Sequence, residues 1–190
     1  ELLAATPALT VVQSEIIPAL DIVGQGFERK TTYLPQLLMA AEAAKAAFEV
    51  IKSSMTAETA DSTEQKMPIV LATVKGDIHD IGKNIVKLLL ENYGYPVTDL
   101  GRDVPPEAVV DATVRLRAPL VGLSALMTTT VPAMEETIKA LRKDAPWCKI
   151  VVGGAVLTRE YADAIGADRY AADAMETVRY AEEIWQAAEK

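Results

Sequence analysis

The 190-residue chain contains one histidine, and it stands in the stretch VKGDIHDIGKN, residues 74 to 84. His79 has Asp77 two residues before it and Asp80 directly after it, with Gly76 and Gly82 on the flanks. Metal sites built only from protein side chains usually need three or four ligands. This stretch offers no second histidine and no nearby cysteine. A lone imidazole can still complete the coordination of a metal whose other ligands come from a macrocycle, as in haem proteins. A carboxylate on the second ring nitrogen then fixes the tautomer and tunes the basicity. Asp77 is placed to do this, and Ser124, from another element, is placed to hydrogen-bond Asp77 in turn.

The elements around this stretch decide what can meet it. After Lys66, short β-branched runs alternate with amphipathic segments. PIVLATV (68–74), PVTDL (96–100), LVGLSAL (120–126), KIVVGG (149–154) and DRYAAD (168–173) read as strands. Helices are expected near 82–93, 105–117, 132–144, 158–165 and 174–188. The alternation predicts a doubly wound, flavodoxin-like (Rossmann-like) α/β fold with five parallel strands in the order 2-1-3-4-5. Ligands of such sheets bind beyond the carboxyl ends of the strands, where the order reverses. Here that crevice lies between strands 1 and 3. The loop after strand 1 brings Asp77, His79 and Asp80; the loop after strand 3 brings Ser124, Thr128, Thr129 and Thr130. Strand 4 ends in Gly153-Gly154, so three distant clusters share one mouth. Each has a plainer explanation when taken alone. Asp80 suits a helix N-terminus, the glycine pair suits a turn, and the threonines suit a cap before Pro132.

Upstream, apolar residues recur at helical spacing from Val11 to about Ser54, broken by Gly24, Gly26 and RKTT into two helices, with Pro35 in the first turn of the second. Two helices cannot enclose a core alone. The expected organisation is a helical region over 1–54, a polar linker over 55–66 and the sheet domain over 67–190. Met39 is expected in helix core, Cys148 at the start of a strand, and Trp185 packed inward from the last helix.

Half of the residues are apolar, and the formal charge is −8. That acidity argues against a nucleic-acid partner, which would want a basic face. No run approaches the ~20 apolar residues that span a bilayer, so no membrane association is expected. One cysteine and no visible signal peptide fit a cytoplasmic protein. The chain opens on ELLAA without an initiator methionine, which suggests a piece of something longer.

With these residues in view, the sequence resembles the base-off, His-on cobalamin-binding domains. The match is Asp77-x-His79-x-x-Gly82, then Ser124-x-Leu126, then Gly153-Gly154, at the family's spacing. The resemblance implies that cobalamin, as methylcobalamin, is the cofactor and that its lower nucleotide tail leaves cobalt for a pocket of the sheet domain. His79 then becomes the lower axial ligand, with Asp77 and Ser124 as the relay behind it. Gly76, Ile78 and Asp80 line the corrin, Thr128 contacts the tail, Gly153 and Gly154 leave room for it, and Ala174 lies near its far end. Residues 22–52 look like the last half of a four-helix cap, with Tyr33 where the family has a phenylalanine shielding the methyl group. Among methyl carriers, EIIPALDIVGQGFE, YLPQLLMAAEAAKAAFEVIK and GLSALMTTTVPAMEETI look most like cobalamin-dependent methionine synthase. That implies a methyltransferase module moving methyl from methyltetrahydrofolate to homocysteine. Its partners would be homocysteine- and folate-binding modules and a reductive reactivation partner. A free-standing corrinoid protein serving methanol, methylamine or aryl-ether methyltransferases is the alternative. A radical mutase domain would share the lower-face signature but not the shielding helices. A phosphoacceptor domain would want an aspartate where Ser124 stands.

Overall fold

The computed structural model describes residues 3, 5–16, 18–19, 22–23, 26, 29–55 and 66–188. The chain divides into two compact units, Glu1–Ser62 and Thr63–Lys190. In the first, α1 (Ala8–Val11) runs into a π-helical stretch, Val12–Ile16, and a long helix, α2, covers Leu34–Met55. Pro35 falls in the first turn of α2, where its missing N–H is no loss. Helix α2 continues through Ser53 and Ser54 to Met55; the rest of the expected linker, through residue 65, lies outside the described residues, as do Gly24 and much of the expected first helix. Val12, Ala44 and Ile51 are buried, whereas Met39 is 71% exposed, against the expectation that it fills a core. A helical period identifies the faces of α2 but not which one is covered.

The second unit is a parallel sheet of β1 (Ile69–Thr73), β2 (Val97–Asp99), β3 (Leu120–Ser124), β4 (Lys149–Gly153) and β5 (Arg169–Ala171). Its strand order is β2-β1-β3-β4-β5, as the alternation predicts. The helices between and after the strands are α3 (Ile81–Asn92), α4 (Pro106–Leu116), α5 (Val131–Asp144), α6 (Arg159–Ala164) and α7 (Ala174–Ala188). Side chains of a strand alternate between faces. Val70, Ala72, Val121, Leu123, Ile150 and Val152 face a core closed by Val109 and Ala112 of α4, Met134, Ile138 and Leu141 of α5, and Ala162 of α6. Helices α3 and α7 pack on each other and on the opposite face, where the alternation sets Leu71, Thr73, Gly122, Ser124 and Gly153.

Local chemistry sets the helix ends. The α3 terminus is a Schellman turn: Gly94 N–H donates to the Glu91 carbonyl and Tyr95 N–H to that of Leu90, both at 3.0 Å. Gly94 has φ +83°, a conformation that costs a side-chain-bearing residue about 1–2 kcal/mol. Pro106 and Pro132 open α4 and α5, and the Thr158 hydroxyl caps α6 by accepting from Tyr161 N–H. Cys148 is buried just ahead of β4, and burial pushes its thiol pKa up to about 11. Trp185 is half-buried. No helix of the described residues is long and apolar enough to cross a membrane.

Met134 is fully buried between α5 and the sheet. Met134→Ala should therefore destabilise the chain by about 2–5 kcal/mol, read as a lower urea midpoint with an unchanged denaturant slope.

Candidate functional site

At the carboxyl edge the strands end in register: Thr73 beside Ser124, Ser124 beside Gly153, and Gly153 beside Ala171. Just beyond this row the loop after β1 turns tightly, with Asp77 N–H donating to the Val74 carbonyl at 3.0 Å. The turn drives the Asp77 side chain inward, where it is completely buried. An ionised carboxylate survives burial only if hydrogen bonds replace its lost water. Asp77 Oδ1 accepts from the backbone N–H of His79 at 3.0 Å and lies 2.8 Å from its ring Nδ1. Asp77 Oδ2 accepts from the N–H groups of Leu126 at 2.7 Å and Met127 at 3.2 Å, and lies 2.8 Å from the Thr130 hydroxyl. Burial alone would raise the pKa of this acid. The bonds from His79, Leu126 and Thr130 outweigh it and lower the value to about 2.

An ionised Asp77 accepts and cannot donate, so the shared proton sits on Nδ1 of the ring. In the neutral ring this leaves the lone pair on Nε2, on a side chain 44% exposed at the mouth. The arrangement prepares one neutral imidazole nitrogen as a ligand for a metal that brings its other ligands along. No group of three or more His, Cys, Asp or Glu residues able to hold a metal ion exists among the described residues.

The structure corrects one part of the expected relay. The Asp77–Ser124 hydrogen bond is not made; the hydroxyl on Asp77 belongs to Thr130. Ser124 closes β3 in the sheet, whereas the chain beyond it bends over Asp77 and a 3₁₀ turn, Thr128–Thr130, brings the third threonine back. None of these threonines caps α5 through its side chain. The only signal in the sequence was the run of hydroxyls itself, which could not say which one faces inward.

Several other expected residues gather at the same edge. Ile78 and Leu126 are 59% and 41% exposed, forming an apolar rim beside His79. Asp80 immediately precedes α3 without capping it through its side chain. A Cβ on Gly154 would stand 1.8 Å from the Ala125 carbonyl oxygen, so this glycine is required by the approach of two loops. Gly153 faces the Ala171 carbonyl, which a Cβ would meet at 3.3 Å. Ala174 begins α7. Tyr33, 68% exposed, belongs to the other unit. Sequence reasoning also passed over the Lys83–Asp99 ion pair. Lys83 Nζ, almost fully buried, reaches the Asp99 carboxylate at 2.5 Å and ties the first turn of α3 to the end of β2. Burial would raise the Asp99 pKa, but the Lys83 ammonium beside it lowers it.

Two models of B12 binding domains match the chain, one over residues 67–179 and one over residues 1–52. This chain belongs to the B12-binding corrinoid proteins. It is 40% identical to dimethylamine corrinoid protein 1 of Methanosarcina acetivorans, across 92% of this chain and 82% of that protein. The solved monomethylamine corrinoid protein of Methanosarcina barkeri superposes with a TM-score of 0.86 at 31% identity, covering 96% of this chain and 86% of that one. The methanol:cobalamin methyltransferase complex MtaBC of the same organism gives a TM-score of 0.63 at 27% identity, covering 98% of this chain and 70% of that chain.

The corrinoid protein is a methyl carrier whose cofactor is cobalamin. The expectation of a methionine synthase module is overturned: the chain is similar over most of its length to free-standing corrinoid proteins, among them the dimethylamine and monomethylamine proteins. The stretches that suggested the synthase all lie within the regions matched by the two B12 binding domain models, 1–52 and 67–179. Features of the site fit the cofactor. Gly82 lies in α3, where glycine costs about 1 kcal/mol relative to alanine, yet a Cβ there would meet nothing within 4 Å. The chain's own packing gives no reason for it, and a closely approaching ligand does. The Thr73 hydroxyl, on the same strand-end row, is buried without a hydrogen-bond partner.

Gly82→Ala should accordingly stabilise the cofactor-free protein by about 0.5–1 kcal/mol while weakening cobalamin uptake, measured by thermal melting and equilibrium titration. The lowered Asp77 pKa has its own consequence. Its stabilisation is complete above pH 4 and drains away as pH falls toward about 2. On acidification from pH 6 to below 2, the wild type should lose about 2 kcal/mol more than Asp77→Asn, read from urea unfolding of the cofactor-free forms.

Proposed function

We propose that this protein carries methyl groups for a methylamine methyltransferase, with His79 Nε2 as the side-chain nitrogen that would hold the cobalt of cobalamin. Cobalamin would supply a cobalt centre able to accept a methyl group and release it. The protein's part is to hold one imidazole in one tautomer. Asp77 keeps the proton on Nδ1, and Thr130 with the Leu126 and Met127 amides keeps Asp77 charged.

Gly76, Ile78, Asp80, Gly82 and Leu126 would bound the corrin. Ser124, Thr128, Gly153, Gly154 and Ala174 would accept the nucleotide tail. Support for the ligand role comes from the one unencumbered imidazole nitrogen beside an open glycine. Support for the methylamine class comes from the 40% identity to the dimethylamine protein and, among solved structures, from a TM-score of 0.86 to the monomethylamine protein against 0.63 to the methanol complex. On this reading the chain has no activity alone. It needs a substrate-specific methyltransferase and a reductant that rescues oxidised cobalt.

The test loads the chain with cobalamin, reduces it and adds methyltransferases specific for mono-, di- or trimethylamine, or for methanol, each with its substrate. Visible spectra should report methylation with an amine enzyme; methylation by the methanol enzyme alone would reassign the partner. His79→Gly should still take up methylcobalamin but lose the cobalt–nitrogen signature, and its methyl transfer should slow sharply. Unchanged turnover with that signature intact would remove His79 from the role.

A further inference from the structure

The loop carrying Asp77 and His79 is bracketed by a second acid, Asp103, from the segment after β2. Asp103 Oδ1 accepts from the Gly76 N–H at 2.7 Å. Its own N–H donates to the Asp77 carbonyl at 2.9 Å. One residue thus holds the peptide groups on both sides of Gly76-Asp77. The segment doing so is itself anchored. Gly101 carbonyl accepts from Thr73 N–H at 2.9 Å, and Val104 N–H donates to the Thr73 carbonyl at 3.1 Å. Residues 101–104 therefore prolong the β1 pairing past the end of β2, and a Val74–Val104 bridge closes it.

The backbone of Asp103 is left-handed, with φ +54°. Aspartate is among the few residues other than glycine that adopt this conformation readily. Its side chain is exposed, so the bond to Gly76 does not serve to satisfy a buried group. Its effect falls on the loop. The direction of the Asp77 backbone sets where its carboxylate points, and that carboxylate chooses the nitrogen of His79 that keeps the proton.

We propose that Asp103 is a positioning residue for the histidine: by fixing the Gly76-Asp77 backbone it holds Asp77 on Nδ1 and reserves Nε2 for the metal. Metal binding through Nε2 rests on His79 being the cobalt ligand; the choice of tautomer does not. Removing one solvent-exposed hydrogen bond of this kind should shift the equilibrium roughly five- to tenfold.

Two variants separate geometry from charge. Asp103→Asn keeps an acceptor oxygen and tolerates the positive φ. Asp103→Gly keeps the φ and the backbone N–H but removes the acceptor. The single imidazole makes nitrogen NMR of the cofactor-free protein unambiguous. Wild type and Asp103→Asn should show the neutral ring protonated on Nδ1, and Asp103→Gly a mixture of tautomers. With methylcobalamin bound, the ratio of His-on to His-off spectra should fall roughly five- to tenfold in the glycine variant and stay within about twofold in the asparagine variant. Wild-type behaviour of Asp103→Gly in both measurements overturns the proposal. So does an asparagine variant as impaired as the glycine one, because charge would then be the cause. Absence of a cobalt–nitrogen bond in the wild type would reject the ligand reading alone, leaving the tautomer comparison to decide Asp103. Asp103→Ser, whose shorter side chain cannot span to Gly76, gives the same comparison if the glycine variant does not fold.

Discussion

A carboxylate with no exposure to water is the constraint on which this molecule is built. Left bare, the Asp77 charge would cost several kcal/mol, and the chain spends much of its local design on preventing that. Donors converge on it from the loops after β1 and β3, which the parallel sheet sets side by side. Those loops in turn acquire a fixed shape, because each must aim its N–H groups at the same two oxygens. The imidazole is one of the converging donors, and its orientation is inherited from the others.

The fold was legible because hydrophobic period and strand length agreed at every element of the second unit. Each run of β-branched residues found its strand within a residue or two, and the crossing order followed from the alternation of strands and helices. The mouth was legible for the same reason, since parallel strands must deliver their following loops to one edge. The error over Ser124 shows where that reasoning stops. Topology places a loop, but the turn inside it decides which of four hydroxyls reaches a given atom. Thr130 reaches Asp77 only because the chain bends after Ala125 and winds through a 3₁₀ turn. The Lys83–Asp99 pair was hidden differently. A lysine in an amphipathic helix reads as a solvated face until the adjoining strand is seen to end in an acid.

The kind of methyl carrier was less legible than the cofactor. Residues that grip a cobalamin answer to a molecule common to every protein that uses it. They therefore carry no record of which enzyme donates or takes the methyl group. That information belongs to surfaces meeting other proteins, where short motifs have no comparable physical constraint. Similarity along the whole chain, covering 82% of the dimethylamine protein, is sensitive to those surfaces in a way that a signature is not.

The placement of the one thiol has a further consequence. A sulfur nucleophile is a natural recipient of an activated one-carbon unit, and only its thiolate form attacks. Cys148 stands at the amino end of the sheet, opposite the edge that bears His79, and its burial keeps it protonated. The fold thereby withholds from its cargo the one side chain most apt to consume it irreversibly, and self-alkylation is suppressed by distance and ionisation together.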